Sequence, residues 1–329
     1  MDVTMLLHGF YISASPENLL ACTVGVLIGT VVGILPGIGP TGAIALLLPL
    51  SFGMDVTTSL IMLAGIYYGS MYGGSITSIL LNVPGEGGAV VTCIDGYAMA
   101  KKGRAGAALA IAAIGSFIAG TLGVLGLTFF APLIANFALA FGPPEYFAIG
   151  FLGLIILTNL TGASALKSSL MVAVGVMLGA IGMDSLTGIS RFTFSVSELQ
   201  RGVDFTIVAM GLFGIGEVLH TIAQSHGKAI LQPVRFWDLY PNKQEWRRSV
   251  APIFRGGAIG FLVGLIPGPA AVISTFVSYM VENPRSKYPD KFGKGAIEGV
   301  AGPESANNAA VSSTMIPLLS LGLPFTPVS

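Results

Sequence analysis

The chain has few charges. Only 10% of its 329 residues are Asp, Glu, Lys or Arg, sixteen basic against sixteen acidic, with no formal net charge. A soluble domain carries about 25%, so these charges are too few to cover a water-facing surface. Zero net charge leaves no basic footprint for nucleic acid. Cysteine is nearly absent: Cys22 and Cys93 stand in apolar surroundings at no metal-ligand spacing and read as small core residues. The histidines, His8, His220 and His226, are scattered and suggest neither a metal site nor a proton relay. No Walker loop, zinc motif or nucleophile elbow occurs, so the chain does not read as an enzyme. Lys and Arg are missing from residues 1–100. Met1–Ser15 therefore has no positive n-region, and the first apolar run is expected to act as the membrane signal itself.

What is present is apolar surface and glycine. Hydrophobic residues make up 53% of the chain and mean hydropathy is +0.80. Several runs reach about 18 residues, enough to cross a bilayer of roughly 30 Å. The 45 glycines suit close helix packing in lipid. These features predict an all-α polytopic integral membrane protein.

Two stretches organise it. Gly33–Pro49 is apolar on both sides of a break, Pro36-Gly37-Ile38-Gly39-Pro40. Gly264–Pro269 repeats the break near the other end. A helix opened at membrane depth is tolerated where its backbone faces a site rather than lipid. The chain otherwise reads as Asn18–Leu35, the break and Thr41–Leu50. Val56–Leu81 follows, interrupted by Gly73-Gly74-Ser75, and then Gly106–Phe130. Ala131–Glu145 is a turn region, followed by spans at Tyr146–Leu160, Ser168–Met183 and Phe205–Ala223. Gln224–Arg255 is hydrophilic, with Trp237, Tyr240 and Trp246 among basic residues, as at a membrane interface. Ala258–Met280 carries the second break and Glu298–Leu323 closes the chain. Each broken pair reads as a re-entrant hairpin or as one discontinuous span.

If both are hairpins, five crossings separate them. With the Lys101 loop in the cytoplasm, fourteen of the sixteen Lys and Arg are cytoplasmic, all but Arg191 and Arg201. The hairpins then enter from opposite sides, as inverted repeats. Gly29, Gly33, Pro36 and Gly37 pair with Gly260, Gly264, Pro267 and Gly268, and Ile79–Pro84 with Leu319–Pro324. The expected organisation is a first repeat over 1–223, an interfacial connection over 224–255 and a second, C-terminally short repeat over 256–329.

Half-helix N-termini suit an anion, and half-helix C-termini with unwound carbonyls suit a small cation. Gly37, Gly39 and Gly268 would let backbone approach a ligand. Thr41, Ser75, Thr77, Asn82, Ser305, Asn307, Asn308 and Ser313 would supply hydroxyl and amide dipoles. The serines and threonines are equally at home in helix contacts. Glu86 and Glu304 flank breaks, either as functional carboxylates at depth or as interface residues. No cofactor or bound metal is expected, apart from a coupling Na⁺ or H⁺.

At these residues the chain resembles a known family, the large membrane subunit of the tripartite tricarboxylate transporters (TctA family). The matching segments are GILPGIGPTGAIALLLP at 33–49, MYGGSITSILLNVPGE at 71–86 and DGYAMAKKG at 95–103. GLIPGPAAVISTFVSYMVE at 264–282 and FGKGAIEGVAGPESANNAA at 292–310 complete them. The resemblance implies a multi-pass protein of the bacterial inner membrane. It would work with a small membrane subunit and a periplasmic solute-binding protein that delivers citrate or another carboxylate, in Na⁺- or H⁺-coupled uptake. Departures from the family pattern are Ala270 where the first repeat has Gly39, Glu86 in place of a small or hydroxyl residue, and Phe325 in place of Gly. The alternatives are a channel-like or cation-exchange protein without a binding protein, and a non-transport assembly subunit.

Overall fold

The computed structural model describes residues 3–35, 38–138, 165–184, 187–204, 239–266 and 269–321, with short pieces at 144–145, 147–148, 151, 154–155, 207–208, 211–215 and 219. The expected spans at Tyr146–Leu160 and Phe205–Ala223 lie mostly outside these residues, as do Pro36, Gly37, Pro267, Gly268 and Phe325.

The described chain is almost entirely helical. In order it forms α1 (Val3–Ser13), α2 (Pro16–Gly33), α3 (Gly39–Leu47), α4 (Val56–Leu81), α5 (Ala105–Ala138), α6 (Ala165–Gly179), α7 (Lys243–Gly264), α8 (Ala270–Arg285) and α9 (Glu298–Leu321). A two-residue antiparallel ladder pairs Gly182–Met183 with Ser190–Arg191. Helix starts follow local chemistry. Ser15 caps α2 with Pro16 at its first position, Asp55 accepts from Thr57 N at 3.0 Å to start α4, and Asn242 with Glu245 closes a capping box on α7. Asn82, left-handed at φ 59°, ends α4.

Both breaks are present: α2 stops at Gly33 and α3 starts at Gly39, while α7 stops at Gly264 and α8 starts at Ala270. Each is a hairpin. On α4, Ser59 reaches Ser51, while Ile44 packs on the cluster that Tyr67 and Met71 form with Val311, so α3 runs antiparallel to α4. A Cβ on Gly25, Gly29 or Gly33 would run into the backbone of Met62, Ile66 or Ser70, so α2 runs parallel to α4. The same ladder recurs in α7, where Gly256, Gly260 and Gly264 lie on Gly302, Ala306 and Ala310 of α9. Ser274 bonds Ala306 O while Gly302 faces Ser278 and Glu282, which turns α8 back against α9.

The two units run in opposite directions. Tyr68 of α4 meets Ser312 of α9 and Ser75 meets Glu304, so α4 and α9 are antiparallel. α5 completes the centre, with Gly115 against Ser305 and Gly123 against Ser312.

The polarity of the bundle is inverted relative to a soluble core. Glu282 and Glu304 are among its largest fully buried side chains, while Leu20, Leu27 and Val31 of α2 and Phe117 of α5 face outward at 62–74% exposure. Two described helices, Pro16–Gly33 and Ala105–Phe129, are long and apolar enough to cross a membrane; Gly39–Ser51 and Leu166–Gly179 are shorter apolar helices.

Basic segments far apart in sequence meet at one end. Arg104 pairs with Glu245, Arg248 pairs with Glu298 and lies over Tyr288, and Lys102 donates to Lys294 O. Asp95 accepts from Gly295 N and Ala296 N at 2.6 and 2.7 Å and from the Tyr279 hydroxyl at 2.8 Å, tying the 93–97 turn to the start of α9.

Three expectations change. Val56–Leu81 is one unbroken helix, because Gly73 and Gly74 serve close approach to Gly33 and Gly85 rather than interruption. α5 continues to Ala138, into the expected turn region. α7 begins at Lys243, so the hydrophilic stretch becomes helical before Arg255.

Candidate functional site

The buried polar atoms converge where α4, α5 and α9 cross. Glu304, on α9, is 1% exposed. One of its oxygens accepts from Ser75 Oγ of α4 at 2.8 Å and the other from the Thr92 hydroxyl. One turn further along α9, Asn307 donates Nδ2 to Glu86 Oε1 at 2.8 Å. Asn308 donates to Ser116 Oγ of α5 at 2.7 Å and to Glu304 O at 3.0 Å. Ser312 meets the Tyr68 hydroxyl at 2.9 Å.

Polar groups this deep are unfavourable unless paired. Most here are. Among the described residues the exceptions are Ser278 Oγ, Ser305 Oγ and Asn307 Oδ1. Glycines let the elements approach this closely: a Cβ on Gly88 would meet the Asn307 amide and one on Gly115 the Ser305 hydroxyl. Gly85 sits against Gly74 and Gly33 O, which brings the end of the first half-helix to the Glu86 turn. The second break joins the seam further along α9, where Gly264 lies on Ala310 and Ser313. From Asn307 to Ser313 is six residues, about 9 Å at the helical rise, so the breaks reach neighbouring levels of one seam.

The sequence-derived candidates divide accordingly. Ser75, Ser305, Asn307 and Asn308 lie together in the seam, buried. Thr77 and Ser313 are buried but donate to carbonyls of their own helices, Gly74 O and Ala310 O, as helix-packing hydroxyls do. Asn82 is the left-handed cap of α4, half-buried. Gly39 is left-handed at φ 60°, at the start of α3, and Thr41 is exposed on that helix. Gly37 and Gly268 lie outside the described residues.

The half-helices α3 and α8 start at Ile38 and Pro269 with no side-chain cap among the described residues. The first turn of each half-helix thus takes no cap from its own N-cap side chain, and Pro40 leaves α3 with one N–H fewer there.

Sequence reasoning missed Thr92, Ser116 and Tyr68. Thr92 and Ser116 are single polar residues in apolar runs, Tyr68 is one of three tyrosines close together on α4, and tertiary packing alone brings them in. Outside the spans, burial pushes the Asp95 carboxyl above the usual carboxylate range, against the lowering effect of the Ala296 N–H, the Tyr279 hydroxyl and the Gly295 N–H. The described residues hold no group of three or more His, Cys, Asp and Glu fit for a metal ion.

A family model described as tripartite tricarboxylate transporter TctA family matches residues 19–329. An uncharacterized 52.8 kDa protein in the TAR-I ttuC' 3' region of Agrobacterium vitis is 50% identical over 326 residues, covering 99% of this chain and 65% of that protein. An uncharacterized protein in the TAR-II ttuC' 3' region of the same organism is 59% identical over 69 residues, covering 21% of this chain and 28% of that one. The chain thus spans less than two thirds of the length of either relative. No solved structure matches it.

Proposed function

The chain belongs to the tripartite tricarboxylate transporter TctA family, and from that premise we propose that it is the membrane-spanning part of a secondary carboxylate importer. Substrate would come from a periplasmic solute-binding protein, and a small membrane subunit would complete the system in the bacterial inner membrane. The two units would be inverted repeats, over 1–223 and from 256 onward, joined by an interfacial connection. Transport would be coupled to Na⁺ or H⁺ and proceed by alternating access.

One observation carries this reading: two glycine- and proline-broken hairpins of opposite direction meet at a buried polar seam. Opposite direction fits inverted repeats. The uncapped starts of α3 and α8 fit the carboxylates of a substrate. The apolar exterior fits lipid. The gathering of Lys101–Arg104, α7 and the start of α9 at one end fits a cytoplasmic face.

The test is uptake of a panel of di- and tricarboxylates into vesicles holding the complete system, with and without the binding protein, under Na⁺ or pH gradients. Binding-protein-dependent accumulation is expected. Flux that needs neither the binding protein nor a carboxylate would replace this reading with a channel-like one.

A further inference from the structure

The seam holds two carboxyls that the transport reading leaves without a task. Glu86 and Glu304 are buried to 8% and 1% exposure and touch α9 one turn apart. Among the described residues, no Lys, Arg or His bonds either of them; their partners are Ser75, Thr92 and Asn307, all neutral. Two ionised carboxylates without a cation in so enclosed a place are strongly disfavoured.

The proton count around Glu304 closes in two ways. Ser75 Oγ stands 2.8 Å from Glu304 Oε2 and 3.2 Å from Met71 O. A hydroxyl has one proton. When Ser75 gives it to Glu304, the carboxylate is the acceptor. When Ser75 gives it to Met71 O, the short contact needs a proton on Glu304. Both arrangements leave every atom of the pair satisfied, so a proton can come and go with a hydroxyl rotation.

A second observation comes from Asn307. It is fully buried and gives Nδ2 to Glu86 while its Oδ1 has no donor. A proton on Glu86 would make this an acid–amide pair, with N–H to the carboxyl oxygen and O–H to Oδ1.

We propose that Glu86 and Glu304 together hold the exchangeable proton that drives transport, with Ser75 as the hydroxyl that turns when the proton leaves. This rests on the transport reading and selects H⁺ over Na⁺ within it. The proton belongs to the pair rather than to one residue. Other titratable groups near the pair are Tyr67 and Tyr72 of α4 and Cys93. From α8, Tyr279 and Glu282 are engaged with Asp95 and with Arg255 of α7. The stretch of α5 along the seam carries no ionisable residue.

Infrared difference spectra of the purified full-length protein, taken between acid and alkaline pH, read protonated carboxyls through their C=O stretch. The wild type should show a band persisting to neutral pH. It should fall in E86Q and in E304Q and vanish in the double variant, with circular dichroism and elution as a single species confirming the fold. S75A keeps both carboxyls but removes a donor to the ionised form, so proton release should move to higher pH. No band in the wild type, an unchanged band in the double variant, a midpoint unmoved by S75A, or loss of the band on adding Na⁺ at constant pH would each overturn the proposal. The spectra need no transport. A wild-type system that accumulates no carboxylate would sink the transport reading and with it the driving role, while the spectra alone would still establish or remove the proton held by Glu86 and Glu304.

Discussion

At the residue scale the seam is a set of neutral donors around two acids. Asn308 ties α9 to α5 through Ser116 at 2.7 Å. Asn308→Leu removes that bond and places a branched apolar side chain against a hydroxyl left without its donor, at about 1–3 kcal/mol. The expected outcome is loss of carboxylate uptake with membrane insertion unchanged, measured by vesicle uptake beside the amount of protein in the membrane fraction. Unchanged uptake would remove Asn308 from the site. Asp95 gives a pH signature. Its folded carboxyl lies above its unfolded range, so the folded state binds more proton between the two. Stability should therefore fall as pH rises from the ordinary carboxylate range through the raised value. Asp95→Asn should flatten that slope in thermal unfolding; an unchanged slope would assign it to another group. These residues differ in how far the sequence reveals them. Asn307 and Asn308 stand out as adjacent amides in an apolar setting. Thr92 and Ser116 do not, because only the fold brings them to Glu304 and Asn308.

At the element scale the glycine ladders set the helix spacing. Gly260 of α7 lies against the Ala306 backbone. Gly260→Ala would gain at most about 1 kcal/mol of helix propensity, but the added methyl would force the pair apart at about 1–3 kcal/mol. Net destabilisation is expected. Gly175, on α6, has no atom of the described residues within 4 Å of where its Cβ would be, so Gly175→Ala should be neutral or stabilising. Opposite signs in thermal unfolding would support the ladder; equal effects would contradict it. Gly29, Gly33, Gly260 and Gly264 are legible as repeats in the sequence, and the structure shows what each approaches. The Gly73-Gly74-Ser75 run misleads on the same grounds. Glycine in a membrane helix marks a close neighbour as readily as a break, and an adjacent proline does not by itself separate the two, since Gly302-Pro303 lies inside unbroken α9.

At the scale of the whole molecule, the sequence suggests two opposed units through the five crossings expected between two hairpins, and charge chooses their orientation. The basic loops at Lys101–Arg104, 243–248 and 285–294 assign to one side by counting, and they meet in space through Arg104–Glu245, Arg248–Glu298 and Lys102–Lys294. Whether each break was a hairpin or a discontinuous span could not be read from the sequence, because direction depends on which neighbour a half-helix packs against. Ser59 against Ser51, with Ile44 on the Tyr67, Met71 and Val311 cluster, and Ser274 against Ala306 decide it. The opposed hairpins place the Gly53 turn, between α3 and α4, and the Asp290 turn, between α8 and α9, at opposite ends of an antiparallel helix pair. The most direct measurement starts from a full-length protein with Cys22 and Cys93 replaced by serine, carrying Gly53→Cys or Asp290→Cys, in sealed vesicles of known orientation. A membrane-impermeant maleimide should label Gly53→Cys only from the periplasmic side and Asp290→Cys only from the cytoplasmic side. Labelling of both from one side would contradict the opposed arrangement.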